Sequence, residues 1–570
     1  MRPYASLLHR LALIQPRILP LPFLNRAMST TTITTGDRSY GSAISLLNTL
    51  QSNASVIENI RKTGGKNGEA QMGETIEYLG RLGYKPSDLN ALNAIHITGT
   101  KGKGSTSAFV DSLLRHIEPS AKTGLYTSPH MVAVRERIRL NGKPLDEETF
   151  ARYFFEVWDR LEKNPERNDR ETTPEKPAYF RYLTLMAFHV FLREKVDATI
   201  LEVGVGGTYD STNVVPQPIV TGVTSLGIDH VFVLGKTIPE IATQKGGIYK
   251  PGVPALAVQQ PAEGLDVLAS RAKELGASSF TVVPEIEELK TIKLGLAGAH
   301  QRINASLAVG LVRSFLASPR LPPAYSSSAL DTSTSTSLPT SLIAPKPLPS
   351  RIVKGLEATR WPGRCQIERD TQSMSVRWYL DGAHTVESLQ CCGEWFGQVG
   401  LGSSPDHQRV LVFNCTSGRS GLSLLGTLVR SLAKFSQAVP PFHHVVFCTN
   451  TTFSSGSSAG DLTSNAVDQE ELEKLSVQHE LKDAWKELTR LPEGKEVDAQ
   501  VAQVQVLGSI EDAVRMIRGL AGKGEGEGEG EGEGEGEGKV EVEVEVEVDV
   551  LVTGSLHLVG GVMAVAELPL

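Results

Sequence analysis

An α/β protein of two domains, each a mostly parallel sheet covered by helices, is what this sequence predicts. Three observations lead there. At 570 residues the chain is too long for one ordinary core. From residue 94 onward, short β-rich apolar runs alternate with helical patterns, which is how crossover-connected parallel strands read. Between residues 319 and 350 the composition turns to Ser, Thr and Pro, a solvated linker, and the alternation then resumes.

In chain order, residues 94–98 read as a strand, 105–117 as a helix and 122–126 as a strand. Residues 179–193 form a long amphipathic pattern, followed by strands at 198–203 and 219–224 and helices at 238–244 and 301–316. Beyond the linker, 376–381, 410–414 and 445–449 read as strands, and 386–396 and 509–518 as helices. The Gly-Glu repeat at 524–538 cannot bury a core and is expected to be disordered. Residues 540–550 alternate Val with an acid at strand period, and 548–553 is expected to be the last core strand. Ser555, His557 and Glu567 interrupt the apolar stretch 551–570, so it reads as a buried strand and helix, and no membrane span is expected. The expected organisation is a leader at 1–36, a first domain at 37–318, a linker at 319–350 and a second, smaller domain at 351–570 with a low-complexity insertion at 523–547.

Composition narrows the class. A hydrophobic content of 40% with 21% charged residues is that of a soluble globular protein. A net charge of −8 and a pI near 6.0 argue against a nucleic-acid binder. Five cysteines with no CxxC pair argue for a reducing compartment, without a disulfide framework or a cysteine zinc site. Residues 1–36 contain no Asp or Glu and space Arg2, Arg10, Arg17 and Arg26 among apolar residues, as a mitochondrial transit peptide does. Initiation at Met28 would leave a cytoplasmic form, so both compartments are expected.

The sharpest local signal is Gly99-Thr100-Lys101-Gly102-Lys103-Gly104-Ser105, a glycine-rich turn between a predicted strand and a predicted helix. Glycines let backbone N–H groups converge on phosphate oxygens, and the helix N-terminus adds its dipole. Lys103 supplies a compact cation, and Ser105 a hydroxyl for a metal ion or phosphate. The spacing departs from GxxxxGK[ST], because Gly104 separates Lys103 from Ser105; a surface turn with a solvated lysine is the alternative.

This run resembles the ATP loop of the Mur-type peptide ligases, in particular their folylpolyglutamate synthase branch. Further matching segments follow in order: Tyr126 to His130 with Arg135 to Ile138; Leu201 to Gly207 with Tyr209 to Asn213; Gly227 to His230; Gln244 to Ile248; Trp361 to Arg364; Asp381 to His384; and Thr553 to Leu556. The resemblance implies an N-terminal P-loop-type ATPase domain and a smaller C-terminal Rossmann-like α/β domain. It implies ATP-dependent addition of L-glutamate to the γ-carboxylate of folates through an acyl phosphate. ATP would be held by Gly102, Lys103, Gly104, Ser105, Asn304, Arg364 and Asp381, and Mg²⁺ by Ser128, Glu202 and His230. His384 and Ser555 would lie near the incoming glutamate. Lys103, Lys245 and His384 would be catalytic, with Lys245 carbamylated. A K⁺ ion is allowed for, and a monomer is expected. The placement of Glu202 at a strand's carboxyl end, where open α/β sheets bind ligands, independently suits a hard cation.

Two departures stand out. Bacterial members of the family it resembles commonly carry Arg where Thr208 stands and often Asn where Thr385 follows His384. Two other readings share the motifs. One is a dihydrofolate synthase, which would add glutamate to dihydropteroate. The other is a nucleotide-binding homologue without activity, against which stands the retained charged set Lys103, Glu202, His230, Lys245, Arg364 and Asp381.

Overall fold

The computed structural model describes residues 36–51, 68–168, 173–328, 347–402, 407–415, 420–436, 440–455, 474–489, 502–522, 525–528, 540–543 and 546–569. Residues 1–35 of the expected leader, most of the expected linker, and residues 524 and 529–538 of the Gly-Glu repeat lie outside these. The stretch from Arg38 to Leu570 forms one compact unit built on two sheets.

The first sheet contains β1 (Ala94–Thr98), β2 (Thr123–Tyr126), β3 (Ile138–Leu140), β4 (Lys143–Pro144), β5 (Ala198–Glu202), β6 (Val220–Val223), β7 (Pro254–Val258) and β8 (Ser279–Val283), in the order β4-β3-β2-β5-β1-β6-β7-β8. The pairs from β2 to β8 are parallel; β3 and β4 add an antiparallel edge. Every residue of β1, β2, β5 and β6 is buried. Their apolar runs meet helices on both faces, as parallel sheets require. Helices Lys103–Ile117, Gln301–Leu316 and Ser350–Ala358 share one core, which includes Phe109, Leu113, Leu311 and Phe315. Helices Glu147–Lys163 and Tyr179–Glu194 share another, with Phe154, Tyr182 and Phe188.

The second sheet holds β9 (Gln366–Arg369), β10 (Val376–Leu380), β11 (Gln408–Phe413), β12 (His444–Cys448) and β13 (Gln503–Leu507). A separate antiparallel ribbon pairs β14 (Glu525–Gly528) with β15 (Val540–Glu543). The last strand, β16 (Val548–Thr553), returns to the middle of the second sheet, whose order is β13-β12-β11-β16-β10-β9. Helix Leu556–Val565 follows β16, so the apolar C-terminal stretch is a buried strand and helix. Among the described residues, no helix is long and apolar enough to cross a membrane.

Two expectations are corrected. The segment expected to be a solvated linker contributes to the first core: Pro323–Ser328 forms a 3₁₀ turn whose Tyr325 is fully buried against Phe315. Helix Ser350–Ala358 also packs there through Ile352 and Leu356, so the second lobe begins after it. In each case a few large side chains outweigh a polar local composition. The Gly-Glu repeat is not wholly irregular, because residues 525–528 form a strand whose backbone pairing requires no core.

One buried charge ties the second lobe together. Asp370 is fully buried and accepts hydrogen bonds from Trp378 Nε1 (3.0 Å), the Gln372 and Ser373 N–H groups, and the Arg518 guanidinium (3.1 Å). Asp370→Ala leaves these donors without their acceptor. It is expected to cost roughly 3 kcal/mol, read as a lower urea midpoint at unchanged m-value. A loss below ~0.5 kcal/mol contradicts this role, since removing one member of a buried ion pair costs several times that.

Candidate functional site

The register of the first sheet brings four chain segments to one row. Ile97 of β1 lies opposite Glu202 of β5, Tyr126 of β2 opposite Leu201, and Thr98 of β1 opposite Val223 of β6. The segments after these strands therefore leave the sheet side by side at its carboxyl edge, where open α/β sheets bind ligands. They carry Ser128, Glu202, the loop Gly99 to Ser105, and Asp229-His230.

The glycine-rich loop is held from both sides. The Thr100 and Lys101 N–H groups donate to Ser225 O, and Thr224 Oγ1 donates to Lys101 O. Gly102 adopts φ 88°, a left-handed conformation that favours glycine, and opens helix Lys103–Ile117. A side chain there would also collide with Asn304, whose Oδ1 lies 2.2 Å from the Cβ position. Asn304 donates to Gln301 Oε1 (2.9 Å), and Gln301 donates to Ser105 Oγ (3.3 Å), so helix Gln301–Leu316 fixes the loop's far end.

Lys103 and Lys245 converge on one acceptor. Lys103 Nζ donates to Gly99 O at 3.0 Å and Lys245 Nζ at 2.8 Å. Lys245 sits in the last turn of helix Ile238–Gly246 and is buried. Burial, then the Lys103 charge, pull its pKa down to about 7. Glu202 is likewise buried, and its Oε2 accepts from the Ser128 N–H at 3.2 Å. Burial pushes its pKa up to about 7, against the pull of Lys103, the Ser128 N–H, Arg364 and Arg137. A carboxylate so short of hydration is a strong ligand for a cation. Its oxygens and the adjacent Ser128 hydroxyl are hard donors that fit Mg²⁺.

His230 stands differently from its expected partners. It begins the short helix Val231–Leu234 in a left-handed conformation (φ 50°), and its N–H donates to Asp229 Oδ1. Burial lowers its pKa, Asp229 opposes this, and Lys103, Lys245 and Lys101 lower it further, so the neutral imidazole is favoured. Among the described residues, no three His, Cys, Asp or Glu side chains gather into a metal site. Glu202 and Ser128 are brought together; a hydrogen bond to His230 is not part of that pair.

The second lobe closes the site. A cavity of about 40 Å³ is bordered by Gly104, Ser128, Glu202, Trp361 and Arg364, room for water or a bare ion. Asp381 holds the loop that carries Arg364: its Oδ2 accepts from Cys365 N (2.9 Å) and its Oδ1 from Ala383 N (3.0 Å). His384 shares Nδ1 with Gly382 O and is close enough to Asp229 to help hold that carboxyl down. Burial raises Asp229, but His230, Lys101 and His384 together keep it below the ordinary range. Ser555 caps helix Leu556–Val565 and approaches Asn450 (3.4 Å). A larger cavity of about 660 Å³, bordered by Arg38, Tyr40, Arg152 and Asp159, contains none of the motif residues.

The chain is 40% identical over 545 residues to folylpolyglutamate synthase of Candida albicans, an alignment covering 93% of this chain and 96% of that one. It is 41% identical to folylpolyglutamate synthase of Saccharomyces cerevisiae, over 93% of this chain and 87% of that one. The chain belongs to the folylpolyglutamate synthase family. No family model matches it. Mycobacterium tuberculosis folylpolyglutamate synthase complexed with ADP shares the fold, with a TM-score of 0.62 at 21% identity, over 92% of this chain and 99% of that one. Escherichia coli FolC in complex with DHPP and ADP does so too, with a TM-score of 0.56 at 22% identity, over 93% and 98%.

Against that family background, both sequence departures have backbone roles. Thr208 Oγ1 donates to Gln244 O, next to Lys245 (3.0 Å), and Thr385 accepts from Ser388 N to cap helix Val386–Val399. Three further residues belong to the site. Asp210 accepts from the Gly204, Val205 and Thr212 N–H groups and so shapes the loop after Glu202. Arg137 donates to His130 Nδ1 and helps keep Glu202 ionised. Trp361 Nε1 lies 3.3 Å from where a Gly104 side chain would begin. All three fall inside motifs visible in the sequence, but their roles depend on partners distant in the chain.

Glu202→Gln carries a double signature. Because the folded-state pKa is raised from 4.5 to about 7, the folded chain binds the extra proton between those values. That contribution is full at low pH and lost as pH rises through 7. The variant is therefore expected to lose ligation yet to gain up to about 3 kcal/mol over the wild type at pH 8, with little gain at pH 4.5. Thermal unfolding at both pH values checks the sign; equal stability at pH 8 contradicts the desolvated carboxylate.

Proposed function

We propose that this chain is an ATP-dependent folylpolyglutamate synthase, adding L-glutamate to the γ-carboxylate of folates and their polyglutamates. The observation that carries the reading is the joining of the two lobes around Lys103, Glu202 and Arg364, in a chain whose relatives of that name span nearly its whole length. The two-lobe site favours a ligase over a nucleotide-binding homologue without activity, because the second lobe contributes a cation as well as the walls.

The reaction brings a terminal phosphate and a folate carboxylate together, two anions that repel. Mg²⁺, held by Glu202 and Ser128 and approached by His230, would supply charge neutralisation there. The chain's own groups provide the rest. The N–H groups of the glycine-rich loop and the dipole of helix Lys103–Ile117 hold phosphate oxygens. Lys103 leaves Gly99 O to meet the terminal phosphate, and Arg364 reaches it from the second lobe. The resulting acyl phosphate is attacked by the glutamate amine, for which His384 and Ser555 stand at the second lobe's edge. Closure of the lobes excludes water that would otherwise hydrolyse it.

Lys245 fits this scheme as a carbamate. An amine with its pKa near 7 is partly neutral at physiological pH and can add CO₂, forming an N–C bond and releasing one proton. The product replaces a cation beside Lys103 with an anion. The chain acts as a monomer, and the acid-free, arginine-spaced leader sends one form to mitochondria while initiation at Met28 leaves another in the cytoplasm.

Release of ADP should require folate, glutamate and Mg²⁺ together, with tetrahydrofolate monoglutamate preferred to dihydropteroate as acceptor. Preference for dihydropteroate would make the chain a dihydrofolate synthase instead. Lys245→Ala is expected to lower kcat by at least ~100-fold, the scale of one preorganised charged group, with partial recovery in acetate or formate. Full activity without added carboxylate rules out the anionic role.

A further inference from the structure

The loop between β2 and the turn Val134–Arg137 belongs by sequence to the first lobe, but its Met131 is buried in the core of the second, with Trp378, Val559 and Val562. Two glycines make the socket. A Cβ on Gly363 would lie 2.4 Å from the Met131 Cε, and a Cβ on Gly560 would lie 1.9 Å from the Met131 carbonyl oxygen. Gly560 lies on helix Leu556–Val565, so the backbone of one lobe rests directly on a helix of the other.

The loop is stiff enough to transmit that contact. Glu136 is buried and accepts three successive N–H groups, from Met131 (3.3 Å), Val132 (2.8 Å) and Ala133 (2.7 Å). Arg139, also buried, donates to Glu136 O (3.2 Å) and places its guanidinium 4.9 Å from the centre of the Trp361 ring. Trp361 in turn borders Gly104 of the glycine-rich loop. At the other end of the same loop, the Ser128 N–H donates to Glu202.

We propose that Met131 is a positioning residue, seated between Gly363 and Gly560 so that Ser128 is set against Glu202 only while the second lobe is docked. Neither Met131 nor Gly560 carries a group the reaction uses. Their contact makes assembly of the Ser128 loop conditional on the lobe that brings Arg364. The inference rests on the ligase reading for its kinetic arm only.

The test uses the full chain and three variants: Met131→Ala, Met131→Leu and Gly560→Ala. Hydrogen exchange of the peptide spanning residues 127–137 reads the loop directly, and steady-state kinetics read kcat and the Mg²⁺ concentration for half activation. Met131→Ala and Gly560→Ala should each speed exchange at least ten-fold, lower kcat at least ten-fold and raise the Mg²⁺ requirement. Met131→Leu should restore kcat to within three-fold of wild type. Unchanged exchange in Met131→Ala overturns the proposal, as does faster exchange with kcat and Mg²⁺ requirement within two-fold of wild type. If Gly560→Ala fails to fold, Met131→Ala decides alone, since it only removes side-chain atoms. A wild-type chain without ligase activity would count against the functional reading, and the exchange rates would still decide whether the latch exists.

Discussion

Two lysine amines share one carbonyl oxygen, that of Gly99, and much of the site follows from this. Two cations that close repel, and neither is fully hydrated, so the cheaper state has one of them neutral. The buried Lys245 is the one that yields, because it sits deeper and loses more hydration. Glu202 faces the opposite problem, a carboxylate without enough water, and leans on Lys103, Arg364 and Arg137. The site is therefore a set of charges, each unfavourable alone and tolerable only with its neighbours.

The two sheets divide this work. The first gathers its charges through strand register, which fixes Glu202 beside the glycine-rich loop with no adjustable parts. The second contributes through the Arg364 loop, which Asp381 holds, while Asp370 and Arg518 brace the lobe itself. Where the lobes touch, small residues allow backbone to approach backbone, as at Gly560, and an aromatic ring lies against a guanidinium, as at Trp361 and Arg139. The glycine-rich loop of the first lobe and the Arg364 cation of the second face one cavity across that seam.

Much of this was legible in the sequence, for physical reasons. β1, the helix Gln301–Leu316 and the final strand β16 were readable because buried parallel strands and long helices carry continuous apolar signals. The helices Ile238–Gly246 and Val386–Val399 ran two and three residues beyond their expected ends, since end residues are decided by capping and local packing. The edge strands β9 and β13 were not anticipated: β9 is short and mixed in composition, and β13 alternates Gln and Val at strand period but is only partly buried. Tyr325 was invisible for a different reason. A single aromatic in a Ser- and Pro-rich stretch has no periodicity, and only the three-dimensional neighbour Phe315 reveals it as core. In the site, the charged residues could be named from the motifs. The shared acceptor at Gly99 and the three-fold clamp of Glu136 could not, because a backbone carbonyl leaves no mark in a sequence and a glutamate that binds amides looks like any other.

The departures from the family pattern fit the same division between chemistry and scaffolding. Thr208 replaces a long cation, yet its hydroxyl and its N–H both reach Gln244 O, anchoring the turn that carries Lys245. Gly247 must stay bare for this, since a Cβ there would fall 2.0 Å from Thr208 Oγ1. Thr385 caps helix Val386–Val399, a role for which threonine is nearly as good as asparagine. Each of these two polar side chains is bonded to the backbone. Thr208 and Thr385 therefore serve the scaffold of the site rather than its charges.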